Sequence, residues 1–212
     1  MINRLKKYIR KKIYHAVLNE RKERNKAALK ALAKSLKKCG GNLSIGNDSA
    51  IVGAENIVCG ANFHCGKNAW IETLNHYGGQ VFKPYLRIGD NFSMQHFCHI
   101  GCIEQIEIGN NVLLGSKVFI TDHFHGNITK DDIDIPPIKR PLSSKPIKIG
   151  DNVWIGDNVS IMPGVVLGNN VIVGANTVVT KSFPDNAVIA GCPARIIKTL
   201  TKDTTLLANI AQ

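Results

Sequence analysis

Two histidines separated by one residue are the first candidates for catalytic groups in this sequence. His123 follows Asp122 directly, and His125 comes two positions later. An imidazole suits general base catalysis because its unperturbed pKa lies close to neutral pH. Residues two apart on an extended segment point to the same side, so both rings could face one cleft. From these residues alone, the alternative is that both are loop histidines with no catalytic role.

A repeat of six residues indicates the element that must position these histidines. From Ile149 to Val179 an aliphatic residue recurs at every sixth position, and glycine follows it in four of the six steps. A helix would show apolar residues every three or four positions, and a single strand every two. A period of six is typical of a parallel β-helix, in which each step is one short strand and one turn.

The repeat predicts a β-helix over residues 41–195 with two interruptions. The interruptions, at about 71–86 and 124–147, are polar or rich in proline, so we predict loops that project from the coil. The remaining residues are enough for about six three-sided coils, stacked about 4.8 Å apart. Residues 196–212 are predicted to form a short C-terminal helical tail.

The positive charge of the chain is concentrated in its first 38 residues. Of the 27 Lys and Arg residues, 14 fall there, with two of the 16 acidic residues. Apolar residues at helical spacing predict that residues 1–40 form a basic amphipathic arm. Residues 1–38 could bind an anionic membrane surface, or the arm could pack on the coil or on a neighbouring subunit. No nucleic-acid motif accompanies the charge, so nucleic acid is not an expected partner.

Composition argues against several other classes of protein. No apolar run approaches the roughly 20 residues that cross a bilayer, and no cleavable apolar segment follows the basic start. We therefore expect a cytoplasmic protein, peripheral at the inner face of the membrane if the arm binds lipid. The six cysteines contain no Cys-x-x-Cys pair. They are expected to be small core residues in a reducing compartment, and no metal site is expected.

Three motifs resemble those of the hexapeptide-repeat acyltransferases, which fold as left-handed parallel β-helices. The motifs are Ile120-Thr121-Asp122-His123-Phe124-His125, Ile149-Gly150-Asp151-Asn152-Val153-Trp154-Ile155-Gly156 and Ala190-Gly191-Cys192-Pro193-Ala194-Arg195. Their order and spacing are similar to those of the galactoside, maltose and bacterial polysaccharide O-acetyltransferases. The resemblance covers the second half of the chain and leaves out the arm. The expected fold class is therefore mainly β, a left-handed parallel β-helix with an N-terminal helical arm and a short C-terminal helix.

The resemblance implies a homotrimer that uses acetyl-CoA, or another acyl-CoA, and a carbohydrate acceptor. It places the general base at His123, with His125 as the alternative or assisting residue. Gln95 lies where related enzymes carry an asparagine that faces the acceptor. The negative charge that develops on the thioester oxygen needs a donor, for which we expect a backbone N–H near Gly115 or Ser116.

The resemblance also implies which residues contact the acyl-CoA donor. Asp157 and Ala175 match positions beside the pantetheine arm, although the family more often has a small neutral residue in place of Asp157. Basic side chains suit the phosphates at the nucleotide end. The residues that match those positions are Thr180, Lys181, Arg195 and Lys198. Without the motifs, these basic residues would be interpreted as ordinary solvated charges.

The leading hypothesis is therefore O-acetyl transfer from acetyl-CoA to a sugar hydroxyl of a surface polysaccharide or its precursor. His123 would act as general base in a ternary complex. N-acetylation of an amino sugar or sugar nucleotide is the alternative. A zinc carbonic anhydrase would need three converging histidines, with His96 and His99 as further candidates, but a packing role is expected for these two. A non-catalytic membrane scaffold would use the arm alone.

Overall fold

The structure is a computed structural model that describes residues 2–127 and 132–201, without the side chains of residues 2–5, 9, 18, 21, 22, 24 and 25. Its main body is a left-handed three-sided prism of short parallel strands, which confirms the fold predicted from the repeat. Each coil contributes one strand to each face. A long helix, α1 (Ile2–Ser35), precedes the first coil.

Three parallel sheets form the faces of the prism. The first contains β1 (Lys38–Cys39), β4 (Ile57–Cys59), β9 (Tyr85–Ile88), β12 (Gln105–Ile108), β17 (Ile147–Ile149) and β20 (Val166–Leu167). The second contains β2 (Leu43–Ile45), β5 (Phe63–Cys65), β10 (Ser93–Met94), β13 (Leu113–Leu114), β18 (Trp154–Ile155), β21 (Ile172–Val173) and β23 (Ala187–Ala190). The third contains β3 (Ala50–Val52), β6 (Trp70–Thr73), β11 (His99–Cys102), β14 (Phe119–Thr121), β19 (Ser160–Ile161) and β22 (Val178–Val179).

The aliphatic residue of each repeat points into the prism. Ile149, Ile155, Ile161, Leu167 and Val173 are at most 1% exposed and belong to one continuous core. Complete burial of such a side chain stabilises the fold by about 1.5–3 kcal/mol. The six-residue period therefore arises because each strand supplies an inward side chain and each turn returns the chain to the next face.

The corners of the prism explain the glycines and the asparagines of the repeat. A Cβ on Gly150 would lie 2.7 Å from the backbone carbon of Gly168 in the next coil, so a side chain would prevent close stacking. One corner carries a ladder of side-chain amides in which each residue donates to the next: Asn42, Asn62, Asn91, Asn111, Asn152, Asn170 and Asn186. These asparagines have φ between 54° and 61°, a left-handed conformation that asparagine tolerates well.

The N-terminal end of the core is closed by the end of α1. Leu36, just after the helix, packs against the core together with Leu43 and Ile51. The coil begins with β1 at Lys38, slightly before the predicted boundary at residue 41. Most of α1 lies beyond this contact and exposes Tyr8 and Ile13 to solvent.

The C-terminal helical tail predicted for residues 196–212 is wrong over its first residues. Residues Arg195–Thr199 form β24, which runs antiparallel to β23. The reason is that β23 would otherwise end the second sheet with an open edge, and Ile196 and Ile197 are β-branched residues that favour a strand. Residues 202–212 of the predicted tail lie outside the described residues.

Both predicted loops leave the coil after a strand of the third sheet, but they contain strands of their own. The first forms a small hairpin of β7 (His76–Tyr77) and β8 (Gln80–Val81), while its predicted edges belong to β6 and β9. The second begins and ends with an antiparallel pair, β15 (His123–His125) and β16 (Leu142–Ser144). The amide of Gln80 donates to the carbonyl of Leu142 at 3.1 Å, so the two insertions brace each other.

Candidate active site

His123 lies at the start of β15, where Asp122 holds its ring. Its Nδ1 is 3.0 Å from Oδ1 of Asp122 and 3.1 Å from Oγ1 of Thr121. Because a carboxylate only accepts hydrogen bonds, Nδ1 carries the ring proton, and Nε2 keeps its lone pair in the neutral ring. The His123 side chain is 14% exposed, so solvent still reaches it. This arrangement fits a general base that works through Nε2.

The carboxylate of Asp122 is completely buried and fully engaged. It accepts the backbone N–H groups of Ile103, Glu104 and Gln105 at 2.8–3.2 Å. Those residues form the corner between β11 and β12, one coil before. A buried carboxylate is costly unless its lone pairs are satisfied. Asp122 therefore has two roles, because one side chain closes this corner and also orients His123. The adjacent Asp-His pair was the only feature of the sequence that indicated the second role.

His125 lies two residues further along β15 and has a different partner. Its Nδ1 is 3.3 Å from the hydroxyl of Tyr77, and the two rings meet edge to face with centroids 5.4 Å apart. Tyr77 belongs to the first insertion, and its hydroxyl also donates to the carbonyl of Ile138 at 3.4 Å. His125 is exposed, and its position depends on contact between the two insertions. No sequence motif indicated Tyr77.

His96 and His99 have partners of their own. Nδ1 of His96 accepts the backbone N–H of Lys67 at 3.0 Å across a corner, which is a packing contact of the predicted kind. His99 stacks on Trp70 with ring centroids 4.5 Å apart, and its Nε2 lies 3.1 Å from Glu72. Within residues 2–127 and 132–201, no three His, Cys, Asp or Glu side chains form a group that could hold a metal ion.

The predicted residues Gln95, Asp157 and Ala175 lie along one edge of the prism, between its second and third faces. At this edge, a backbone N–H at the corner of one coil donates to a backbone carbonyl at the corner of the preceding coil. The bond from the N–H of Asn176 to the carbonyl of Asp157, for example, is 2.9 Å long. Asp157 and Ala175 are exposed on successive coils, and Gln95 is half-buried two coils before Asp157. The structure thus brings the predicted acceptor-side residue and the two predicted pantetheine contacts onto one continuous edge.

The oxyanion donor expected at Gly115 or Ser116 is contradicted. The N–H of Gly115 donates to the carbonyl of Ile155 at 2.8 Å, and that of Ser116 donates to Oδ1 of Asp157 at 2.5 Å. Both donors are used because each strand pairs with the next coil and a carboxylate caps the corner. Neither N–H is free for a thioester oxygen, and Asp157 has a structural role that its sequence position did not indicate.

The residues predicted at the nucleotide end of the donor lie at the C-terminal end of the prism. The N–H of Ala194 donates to a carbonyl of β22 at 2.9 Å, so Arg195 lies beside the strand that Thr180 and Lys181 follow. Thr180, Lys181 and Arg195 are exposed, and Lys198 is half-buried on β24. Cationic side chains grouped at one end of the coil fit the phosphates of a nucleotide.

Four of the six cysteines are buried in the core, as predicted: Cys59, Cys65, Cys98 and Cys102. The prediction is wrong for Cys192, which is exposed after the last coil, and Cys39 is only half-buried. Burial raises the pKa of the Cys59 thiol to about 12 and that of Cys65 to about 11. Burial also raises the pKa of Cys98 and of Cys102. These four thiols stay protonated at neutral pH, so none of them is placed to act as a thiolate nucleophile.

Comparisons with known proteins identify relatives of this chain. A family model described as bacterial transferase hexapeptide (six repeats) matches residues 146–181. WbbJ of Escherichia coli K12, named as a lipopolysaccharide biosynthesis O-acetyl transferase, is 41% identical over 167 residues, or 76% of this chain and 78% of the relative. The chain spans 42–62% of the length of four further curated relatives.

Solved structures show the same fold. A maltose O-acetyltransferase of Clostridium difficile 630 has a TM-score of 0.57 and 29% identity, over 81% of this chain and 73% of the other. A mutant of AntD, an N-acyltransferase of Bacillus cereus solved with dTDP and coenzyme A, has a TM-score of 0.65 and covers 82% of this chain and 89% of its own. At 21% identity this second likeness shows the fold alone.

Together, the coil, the Asp122–His123 pair and the 41% identical relative define the class of protein. The chain belongs to the hexapeptide-repeat acyltransferases and is an acyl-CoA-dependent acetyltransferase. The predictions of family, fold class, enzyme class and acetyl-CoA as donor are confirmed. Of the helices that the structure describes, none is long and apolar enough to cross a membrane.

Proposed function

We propose that this enzyme transfers acetyl from acetyl-CoA to a hydroxyl of a sugar in a surface polysaccharide or its precursor. The observation that supports this most strongly is the contact between the buried Asp122 carboxylate and Nδ1 of His123. It prepares a neutral imidazole to accept the proton of an alcohol. The relative named for lipopolysaccharide biosynthesis supports a glycan as acceptor.

In the proposed mechanism, donor and acceptor bind together before any bond changes. Nε2 of His123 takes the hydroxyl proton as the oxygen attacks the thioester carbonyl carbon. The C–S bond then breaks, and the proton on His123 passes to the departing sulfur, which gives free CoA and regenerates the base. Asp122 stabilises the imidazolium that forms in between. No covalent acyl-enzyme is needed, which agrees with the buried, protonated core thiols.

The donor is proposed to lie between neighbouring prisms of a homotrimer. Asp157 and Ala175 would flank the pantetheine arm on their shared edge, while Lys181, Arg195 and Lys198 would face the phosphates. Gln95, on the same edge, would face the acceptor. Analytical ultracentrifugation checks the assembly, for which the proposal expects three times the mass of the 23.2 kDa chain.

The arm is proposed to hold the enzyme at the cytoplasmic face of the membrane, near lipid-linked acceptors. The first half of α1 exposes Ile13 and Val17 together with Lys6, Lys11 and Lys12. Apolar side chains can enter the boundary layer while the cations meet anionic headgroups. The exposure of these apolar residues supports a lipid surface over packing on the coil.

The direct test is release of CoA in the presence of sugar acceptors. The protein is incubated with acetyl-CoA and methyl β-galactoside, maltose or methyl β-glucosaminide, while a thiol reagent reports free CoA and mass spectrometry identifies the product. The proposal expects a gain of one acetyl group as an ester on the neutral sugars. Acetylation confined to the amino group of the glucosaminide would favour N-acetylation, and no acetylated saccharide would contradict the proposal.

A further inference from the structure

A second imidazole–carboxylate pair lies on the outer face of the third sheet. Glu72 on β6 lies 3.1 Å from Nε2 of His99 on β11, and both side chains are partly exposed. The ring of His99 is stacked against Trp70 at an angle of 4°, and Trp70 is 47% exposed. The pair lies outside the apolar core of the prism.

Gly101 lies where this pair and His123 meet. A Cβ on Gly101 would lie 3.3 Å from Cε1 of His123, 3.6 Å from Nε2 of His99 and 3.7 Å from Oε1 of Glu72. The two imidazoles and the carboxylate therefore converge on the space above one strand residue. The strands set this arrangement, since Gly101 pairs with Glu72 on one side and with Thr121 on the other.

Neither coil closure nor backbone conformation explains a glycine at this position. At the corners, as at Gly150, a Cβ would lie within 2.8 Å of backbone atoms of the next coil. At Gly101 the three nearest atoms all belong to side chains, and its φ is not left-handed. Glycine in a strand interior weakens the strand and often marks a place where another group approaches closely. Gly101 is itself buried, and the absence of a Cβ lets His123, His99 and Glu72 pack closely over this strand.

We propose that Glu72, oriented by His99, binds the acceptor sugar, an inference that rests on the proposed function. The acceptor hydroxyl would lie beside the partly exposed His99–Glu72 pair, within reach of His123. Glu72 would accept hydrogen bonds from neighbouring hydroxyls, because a carboxylate accepts several and His99 uses only one. The exposed indole of Trp70 would contact the apolar face of the ring. The ligand class is a pyranose with a free hydroxyl next to the one acylated.

The kinetic test uses Glu72→Gln and Gly101→Ala in the full-length protein. Glu72→Gln is expected to raise the acceptor KM about tenfold to 100-fold, as loss of a charge-assisted hydrogen bond would. Gly101→Ala should also raise the acceptor KM, because its Cβ would displace the side chains of His99 and Glu72 that lie over it. The KM for acetyl-CoA should change less than twofold, a separation that a merely structural role would not produce. Matched controls are Glu55→Gln, on the short helix before β4, and His64→Asn, on the outer face of the second sheet. If the wild type is active and the acceptor KM is unchanged in both test variants, the inference about Glu72 is wrong while the proposed function stands.

A binding test avoids dependence on turnover. The chain has two tryptophans, so Trp154→Phe leaves Trp70 as the sole indole reporter. Titration with methyl β-galactoside, maltose and methyl β-glucosaminide should change its emission, and Glu72→Gln should abolish the change. If a saccharide binds but no acetyl is transferred, the proposed function fails and this inference stands. If Trp70 responds to none of the three, including any that the wild type acetylates, the inference is wrong.

Discussion

The Oδ1 atom of Asp122 lies 3.0 Å from Nδ1 of His123, and the side chain of Asp122 is completely buried. The same carboxylate caps the three N–H groups of the preceding coil corner. The orientation of His123, the proposed catalytic base, is thereby tied to closure of the β-helix. A substitution of Asp122 is therefore expected to change both activity and coil stability.

Asp122→Asn should lower kcat by about 10²–10⁴, because an amide can no longer enforce the proton on Nδ1 or stabilise the imidazolium. It should also destabilise the fold by about 1–3 kcal/mol, since the amide nitrogen cannot accept a backbone N–H. Steady-state kinetics and urea unfolding measure the two effects. An Asn variant with wild-type kcat would refute the role of the pair.

Gly150→Ala should destabilise the coil strongly, by at least the 1–3 kcal/mol typical of overpacking. The reason is that the added Cβ would lie 2.7 Å from backbone of the next coil. Gly101→Ala is the matched control, because its Cβ would meet only side chains that can shift. Thermal unfolding of both variants checks this pair, and equal melting temperatures would contradict the explanation of the repeat glycines.

Stability should fall at alkaline pH because of the buried thiols. The pKa of Cys59 is raised to about 12 and that of Cys65 to about 11, against 9.0 for the unperturbed group. Above pH 9 these thiols ionise in the unfolded chain but not in the folded chain, which favours unfolding. The contribution of the buried, protonated thiols to the free energy of unfolding is therefore complete below pH 9 and is lost as the pH rises towards 11–12. Urea unfolding at pH 7.5, 9 and 10.5 measures it.

The matched variants for that measurement are Cys65→Ala and Cys192→Ala. The first removes a buried thiol and should reduce the loss of stability between pH 9 and 10.5. The second removes an exposed thiol and should leave the loss as it is in the wild type. The same pH dependence in all three proteins would show that buried thiols do not contribute.

Neutralising the start of α1 should weaken binding to anionic vesicles. Each basic residue near such a surface contributes about 1 kcal/mol, so Lys6→Gln, Lys11→Gln and Lys12→Gln together should reduce the affinity by about two orders of magnitude. Cosedimentation with vesicles containing phosphatidylserine measures this, and neutral vesicles are the reference. Lys26→Gln, Lys30→Gln and Lys34→Gln, nearer the coil, form the matched variant. Undiminished binding of the first triple variant would count against a lipid-binding arm.

Much of the fold was predictable because the repeat is imposed by packing. Each inward position must be aliphatic, as at Ile149 and Ile155, and each tight corner excludes a side chain, as at Gly150. These constraints are local and appear directly as a period of six. The strand at Arg195–Thr199 was not predictable in this way, because it forms to cover an edge created by residues elsewhere in the chain.

The site was predictable only in part, for a similar reason. The Asp122–His123 pair is adjacent in sequence, so the motif revealed it. Tyr77 comes from the first insertion and Glu72 from an earlier coil, and both reach the site only through the stacking of coils, which no local pattern records. The proposed oxyanion donors failed because a backbone N–H is available only if its neighbours leave it unpaired, and Asp157 occupies that of Ser116.

The measurement that tests the central claim most directly is the rate of CoA release by His123→Ala and His125→Ala beside the wild type, at saturating acetyl-CoA and acceptor. If His123 is the general base, His123→Ala should lose about 10²–10⁴ in kcat, while His125→Ala keeps activity within about tenfold because its ring bonds to Tyr77 rather than to a carboxylate. Full activity in the folded His123→Ala protein, with the loss at His125 instead, would contradict the account.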